Sequence, residues 1–175
     1  MVYIFLANGF EDVEAIQPRD LLLRAGIKVT TVGVGAKTVK SAFGLTVTAD
    51  ITEDELNIAD ADAVVFPGGM PGAANLAASP TVKNAITFAL EHNRVIGAIC
   101  AAPGVVLANT GALSGKNYTC FPGFEVSEGN YTAAKVERDG NLVTGNGPAA
   151  AAEFAAAVAG AITPNAENLI RKMYK

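Results

Sequence analysis

The chain has 175 residues, half of them apolar, with a net charge of −4 and a pI near 5.0. That length suits one domain, spanning 1–175, with enough residues to bury a sizeable core. Its acidic balance and scattered Lys and Arg supply no basic field for nucleic acid and no patch for an anionic membrane surface.

In chain order, residues 2–6 form an apolar run that suits a central strand covered on both faces. The run is short and has no basic region before it, so it does not read as a signal peptide. A turn at Asn8-Gly9-Phe10-Glu11 leads into a helix over about 12–25, with Pro18 awkward in its interior and Gly26 as a left-handed cap. Residues 27–34 alternate apolar and polar as a second strand. Residues 39–43 and 45–49 around Gly44 suggest a small hairpin. A second buried run, 63–66, ends in Pro67-Gly68-Gly69. Ser79-Pro80 starts a helix that runs to about Asn93, with serine as N-cap and proline at the first helical position.

Residues 95–99 read as a strand and 101–108 as a helix closed by Gly111. Asp139-Gly140, between strands at 131–138 and 141–144, signals a type I′ hairpin. An alanine-rich helix from about Pro148 is interrupted by Glu153. It reads as a packed helix, because a membrane span needs roughly 20 strongly apolar residues. A last helix begins at Pro164. Strands alternating with helices imply a mainly parallel α/β sheet with helices on both faces, whose ligands bind beyond the carboxyl ends of the strands. There are two cysteines, Cys100 and Cys120, and no C-x-x-C pair, which points to a reducing cytoplasmic setting and suggests no metal site.

One stretch carries chemistry. Val95-Ile96-Gly97-Ala98-Ile99-Cys100-Ala101-Ala102-Pro103 reads as strand, sharp turn and helix. Small residues at Ala98, Ala101 and Ala102 permit the tight turn of a nucleophile elbow. A thiol there meets backbone N–H groups and the helix N-terminus, which favour thiolate and predict a pKa below the ~8.5 of free cysteine. The plainer alternative is a buried structural cysteine. For Glu14 the residues alone suggest a first-turn acid complementing the helix dipole. Gly68-Gly69 alone reads as an ordinary turn.

Together these segments resemble the ThiJ/PfpI superfamily, on the branch of the parkinsonism-associated protein deglycase. Ala98-Ile99-Cys100-Ala101-Ala102-Pro103 is similar to its elbow. Gly9-Phe10-Glu11-Asp12-Val13-Glu14 is similar to its G-x-E-E/D-x-E motif, and Phe66-Pro67-Gly68-Gly69 to its strand-end P-G-G. Residues 139–144 and Gly147-Pro148 are similar to its closing hairpin and helix entry. The likeness spans about residues 2–164. It implies a single-domain flavodoxin-like sandwich, usually a homodimer through the first helix; the apolar stripe of Val13, Ile16, Leu21 and Leu22 fits that role and equally fits packing on the sheet. It also implies that Cys100 is the nucleophile or redox thiol, and that Glu14 is a protonated carboxyl bonded to it. Gly68, Gly69 and Ala101 become oxyanion donors. A carboxylate beside a thiolate is driven to keep its proton, so the arrangement is coherent.

The chain departs from that pattern at informative places. The protease-like branch has histidine directly after the cysteine, where this chain has Ala101. The glyoxalase branch takes a histidine from a later loop, where Phe121, or else Cys120, stands here. His92, the sole histidine, lies near the end of the Pro80 helix, away from the elbow. Two arginine positions of the pattern correspond to Phe43 and Asn146, so the pocket is expected to be apolar and weakly basic. The implied activity is a cofactor-independent cysteine enzyme on a small carbonyl substrate, of glyoxalase or deglycase type. The alternative is a redox-responsive stress protein or chaperone whose Cys100 meets an oxidant. Cys120 is either a resolving thiol or a packed structural cysteine. Peptidase and thiazole phosphate biosynthesis readings find less support in these residues.

Overall fold

The computed structural model describes residues 1–173. In chain order, β1 (Val2–Leu6) is followed by α1 (Asp12–Arg24), β2 (Val29–Gly33), β3 (Thr38–Lys40), β4 (Thr46–Thr48) and β5 (Ile51–Thr52). Then come β6 (Ala63–Phe66), α2 (Gly72–Ala78), α3 (Pro80–Glu91), β7 (Val95–Ile99) and α4 (Ala102–Val105). The chain closes with β8 (Asn117–Tyr118), β9 (Asn130–Tyr131), β10 (Val136–Asp139), β11 (Leu142–Gly145), α5 (Ala151–Ile162) and α6 (Pro164–Lys172).

The main sheet runs β10-β11-β7-β6-β1-β2-β5, parallel throughout except at the β10–β11 edge. It is a flavodoxin-like α/β sandwich. Alternation along β1 builds two cores. Tyr3 and Phe5 face α2, α3 and α4 through Leu76, Ile86 and Ala102, while Ile4 and Leu6 face α1, α5 and α6 through Leu22, Phe154 and Ile170. This two-sided burial is why the inner strands read as unbroken apolar runs. From β1 the chain moves outward to β2 and β5, then crosses back to lay β6, β7 and β11 on the other side. The order reverses between β1 and β6, and a crevice opens at the carboxyl ends of such a pair.

Several expected elements shift. The helix expected over 101–108 is one turn, α4, within which Gly104 packs so closely that a Cβ would lie 1.7 Å from the Phe124 carbonyl oxygen. The short helix α2 was not expected. Its small residues carry no polar cap, yet Ala73 and Leu76 bury fully. The strand expected over 131–138 is broken into β9, which pairs with β8, and β10. The β10–β11 turn also differs from the expected type I′. Asp139 pairs with Leu142, so Gly140 and Asn141 form the loop, and of the two only Gly140 has positive φ. Glycine at the first central position is the II′ pattern. Gly26 ends α1 at φ +79°, and Ser79 caps α3 by accepting the Val82 N–H at 3.3 Å, both as expected.

Gly97 on β7 makes the packing of the alanine-rich α5 possible. A Cβ there would stand 3.1 Å from Phe154 and 3.2 Å from Val158. Replacing Gly97 with Val overfills this layer, and overpacking typically costs ~1–3 kcal/mol. Thermal unfolding of Gly97→Val should therefore begin several degrees lower, at roughly 2–4 °C per kcal/mol for a domain of this size. An unchanged midpoint would show that α5 can retreat without loss.

Candidate active site

The strand ends on either side of the reversal bring three segments together: residues 8–14 after β1, Gly68-Gly69 after β6 and Cys100 after β7. They approach so closely that side chains are excluded. Gly69 has φ +82°, and a Cβ on it would lie 2.5 Å from the Glu11 nitrogen and from the Gly9 carbonyl oxygen. Glu11 N–H donates to the Gly68 carbonyl at 3.0 Å, and Gly72 N–H to that of Gly9 at 3.2 Å. The loops are thus laced backbone to backbone.

Cys100 adopts φ +64°, left-handed for a residue with a side chain, and so turns its sulfur away from the strand line. Such strain persists only where the surroundings over-determine it. Here the Cys100 N–H donates to the Gly145 carbonyl at 2.8 Å, and its own carbonyl accepts the Phe121 N–H at 2.8 Å. The elbow is clamped on both sides. Backbone N–H groups of Gly69 and Ala101 lie close enough to the sulfur to pull its pKa down.

Glu14 is fully buried on the first turn of α1. Its Oε2 accepts the Gly68 N–H at 2.8 Å, while Oε1 is buried without a hydrogen-bond partner of ordinary geometry. Its carboxyl faces the Cys100 thiol closely enough for the two to interact directly. It is therefore no surface complement to a helix dipole. Burial pushes Glu14 up to about 7, against the hydrogen bonds from Cys100 and Gly68. Burial, then the charge of Glu14 and its hydrogen bond, push the Cys100 thiol up to about 12, against the pull of the Gly69 and Ala101 N–H groups. The thiol expected below the free-cysteine value is thus reversed, with burial the first cause and the charge of Glu14 the second. α4 is also too short to lend the helix field that expectation used. A proton on Oε1 removes the charge of Glu14 and leaves the two N–H groups to act against burial alone.

The other expected site residues divide. Gly69 and Ala101 take donor roles toward the sulfur, but Gly68 does not, because its N–H is committed to Glu14. Phe121 reaches the rim: its backbone holds the elbow, and its ring lies against Gly147, where a Cβ would meet it at 3.2 Å. Asn146 is half-buried just past β11, with its N–H on the Lys135 carbonyl at 3.0 Å. Cys120 does not line the site. It is fully buried in the core with Tyr118, because alternation turns residues 118 and 120 inward, and both thiols are free. Phe43 does not line it within one chain either, standing 79 % exposed at the tip of the β3–β4 hairpin. His92 is exposed and stacks on Phe88 at 4.0 Å, as its position suggested. Sequence reasoning missed Glu11, whose backbone bond to Gly68 sets it beside the pair. The acidic run Glu11-Asp12-x-Glu14 was the available signal. Among the described residues no group of three His, Cys, Asp or Glu could hold a metal ion.

A cysteine elbow of positive φ facing a buried carboxyl, at the reversal of a doubly wound sheet, defines a class of α/β proteins. The chain belongs to the DJ-1/PfpI family, whose model matches residues 1–161. Protein dj-1beta of Drosophila melanogaster is 38% identical over 161 residues, covering 89% of this chain and 86% of that protein. The crystal structure of Drosophila melanogaster DJ-1beta superposes with a TM-score of 0.90 at 34% identity, covering 99% of this chain and 96% of the other. A Caenorhabditis elegans relative, glutathione-independent glyoxalase DJR-1.2, is 31% identical over 149 residues, 83% of this chain and 78% of that one. An oxidized Toxoplasma gondii DJ-1 superposes with a TM-score of 0.88 at 28% identity, covering 99% and 97%. The chain spans 36% of the length of Protein DJ-1 homolog B of Arabidopsis thaliana, which it matches at 34% identity over 160 residues, 90% of this chain.

The carboxyl and the thiol together should lose one proton near pH 7 and hold the second to about pH 12. With that second proton on Oε1, thiolate ultraviolet absorbance rises through about pH 7, read against Cys100→Ser as blank. Thiolate appearing only toward pH 12 would place the retained proton on sulfur.

Proposed function

We propose that the chain is a cysteine-dependent enzyme acting on small reactive carbonyls, of glyoxalase or protein deglycase type, with Cys100 as nucleophile and Glu14 as proton carrier. The observation that carries this reading is the strained elbow thiol held between two backbone N–H donors and a buried carboxyl with one unpartnered oxygen. The relative named as a glyoxalase supports it.

The chemistry follows from that arrangement. The Cys100 thiolate adds to the aldehyde carbon of an α-oxoaldehyde, and the carbonyl π pair moves to oxygen, which takes the proton of Glu14. The N–H groups of Gly69 and Ala101 stand beside the forming alkoxide. The Glu14 carboxylate then removes hydrogen as a proton from the former aldehyde carbon, sending its electron pair toward the neighbouring carbonyl. Returning that proton to the second carbon, as the hydroxyl proton on the first carbon's oxygen passes to the second oxygen, leaves a thioester of a 2-hydroxy acid. Water cleaves it, releasing the acid and the thiol. One carboxyl carries every proton, since Phe121 stands where an imidazole would serve.

A redox reading is favoured by that same missing base. Oxygen transfer from a peroxide to the thiolate, with loss of alcohol or water, needs only Cys100, Glu14 and the two donors. Assembly as a homodimer fits the face of α1, where Val13 and Ile16 stay 41% and 37% exposed beside the exposed Leu45. Leu21 and Leu22 of the same stripe take the other role open to it and pack on the sheet.

Methylglyoxal turnover decides between the two readings. Cys100→Ala should reduce it to background. Phe121→His should raise it, since a positioned base typically contributes ~10²–10⁴-fold. A folded Phe121→His no faster than wild type would favour the redox reading.

A further inference from the structure

Asparagine followed by glycine occurs twice in the chain, at Asn8-Gly9 and Asn146-Gly147, just past the carboxyl ends of β1 and β11. The dipeptide carries its own chemistry. The glycine nitrogen can attack the carboxamide carbon of the asparagine, and the missing Cβ leaves that approach open. Hydrogen bonds that hold the two groups elsewhere suppress the reaction, because they must open first.

The fold treats the two pairs differently. Asn8 Oδ1 accepts the Lys40 N–H at 2.8 Å, and the Gly9 N–H donates to the Lys40 carbonyl at 2.7 Å. Carboxamide and nucleophile are thus both tied to one residue of β3. At the second pair, the Asn146 N–H donates to the Lys135 carbonyl at 3.0 Å, and the Gly147 carbonyl accepts the Ala150 N–H at 2.9 Å. The reacting groups themselves stay free: among the described residues, neither the Asn146 carboxamide nor the Gly147 N–H has a hydrogen-bond partner. Gly147 is buried against the Phe121 ring, but that ring is 44% exposed, Asn146 is half-buried, and Pro148 and Ala149 are exposed. The segment therefore lies at the surface, within reach of water. Asp139-Gly140 could close the same ring, but its carboxyl accepts the Asn117 N–H at 2.9 Å and the Lys116 ammonium at 3.2 Å. These bonds hold it ionised, and a carboxylate is a poor acceptor for a nucleophile.

We propose that Asn146-Gly147 is a site of spontaneous deamidation in the folded protein, and that Asn8-Gly9 is protected. The Gly147 nitrogen gives its proton to hydroxide and bonds to Cγ of Asn146. The carboxamide C–N bond breaks, and ammonia leaves with a proton taken from water. Water then opens the resulting succinimide at either carbonyl, which gives aspartate or isoaspartate at 146. Either product adds a negative charge directly after Gly145, whose carbonyl holds the Cys100 N–H at 2.8 Å. Isoaspartate also lengthens the main chain there by a methylene. The modification thus falls on the segment that grips the elbow, and it does not depend on the activity proposed above.

The test holds the folded protein at mildly alkaline pH and follows peptides containing Asn8 and Asn146 by mass spectrometry, after digestion in acid. Conversion at Asn146 should outpace that at Asn8 on the order of tenfold, since two ordinary hydrogen bonds must break before Asn8 reacts. In the protein unfolded in guanidinium chloride, the two sites should convert at similar rates, because neither is then held. Equal rates in the folded protein overturn the inference, as does an Asn146 that stays intact while the unfolded chain converts. An equally strong preference for Asn146 in the unfolded chain also overturns it, by tracing the difference to local sequence instead of the fold.

Discussion

A carboxyl and a thiol buried face to face cannot both ionise at modest pH, and the rest of the site is organised around that constraint. Two adjacent anions in a desolvated setting repel strongly, so one group keeps its proton. Each backbone donor then acts on the choice. Gly68 N–H holds Oε2 of Glu14, Gly69 and Ala101 N–H groups hold the sulfur, and Oε1 has no partner until it carries a proton of its own. A proton there gives the orphaned oxygen a donor to aim at the sulfur and leaves the anion where two N–H groups receive it. Reactivity and acidity are in this sense one property of the pair.

The sheet supplies the precision this needs. Three inner parallel strands end side by side, and the loops leaving them touch through glycine backbone at Gly9, Gly68, Gly69 and Gly72. A Cβ on Gly68 would lie 2.6 Å from the Cys100 Cβ and 2.8 Å from Glu14 Oε2. The separation of thiol and carboxyl is thus set by the width of a bare backbone. The positive φ of Cys100 is tolerable because β11 and the Phe121 segment grip it from opposite sides.

Much of this was legible in the residues. The inner strands announce themselves as apolar runs, and their ends are marked by Asn8-Gly9, Pro67-Gly68-Gly69 and Cys100, the three points that meet. What escaped was geometry that local pattern does not encode. Nothing in Gly68-Gly69 tells which N–H faces the carboxyl and which the sulfur. Cys120 and Phe121 are neighbours with opposite fates, decided by the face on which residue 118 enters the core. Phe43 looked like pocket material by position, yet its hairpin docks through buried Val39 and backbone bonds such as Ala42 N–H to the Phe10 carbonyl at 2.8 Å, and leaves the ring outside. The depth at which Glu14 sits, and so its rise to about 7, depends on α1 packing against α5, a contact distant in sequence. Family likeness carried that assignment where periodicity favoured a surface acid.

The central claim is that Glu14 keeps a proton while Cys100 carries the charge. Infrared difference spectroscopy, wild type minus Glu14→Gln, reads it directly at a pH one to two units above about 7. The spectrum should show the carbonyl stretch of a protonated carboxylic acid belonging to Glu14, lost in Cys100→Ser at the same pH because no neighbouring anion then holds the proton in place. Carboxylate bands alone in the wild type would mean that the thiol keeps the proton, and would contradict the account.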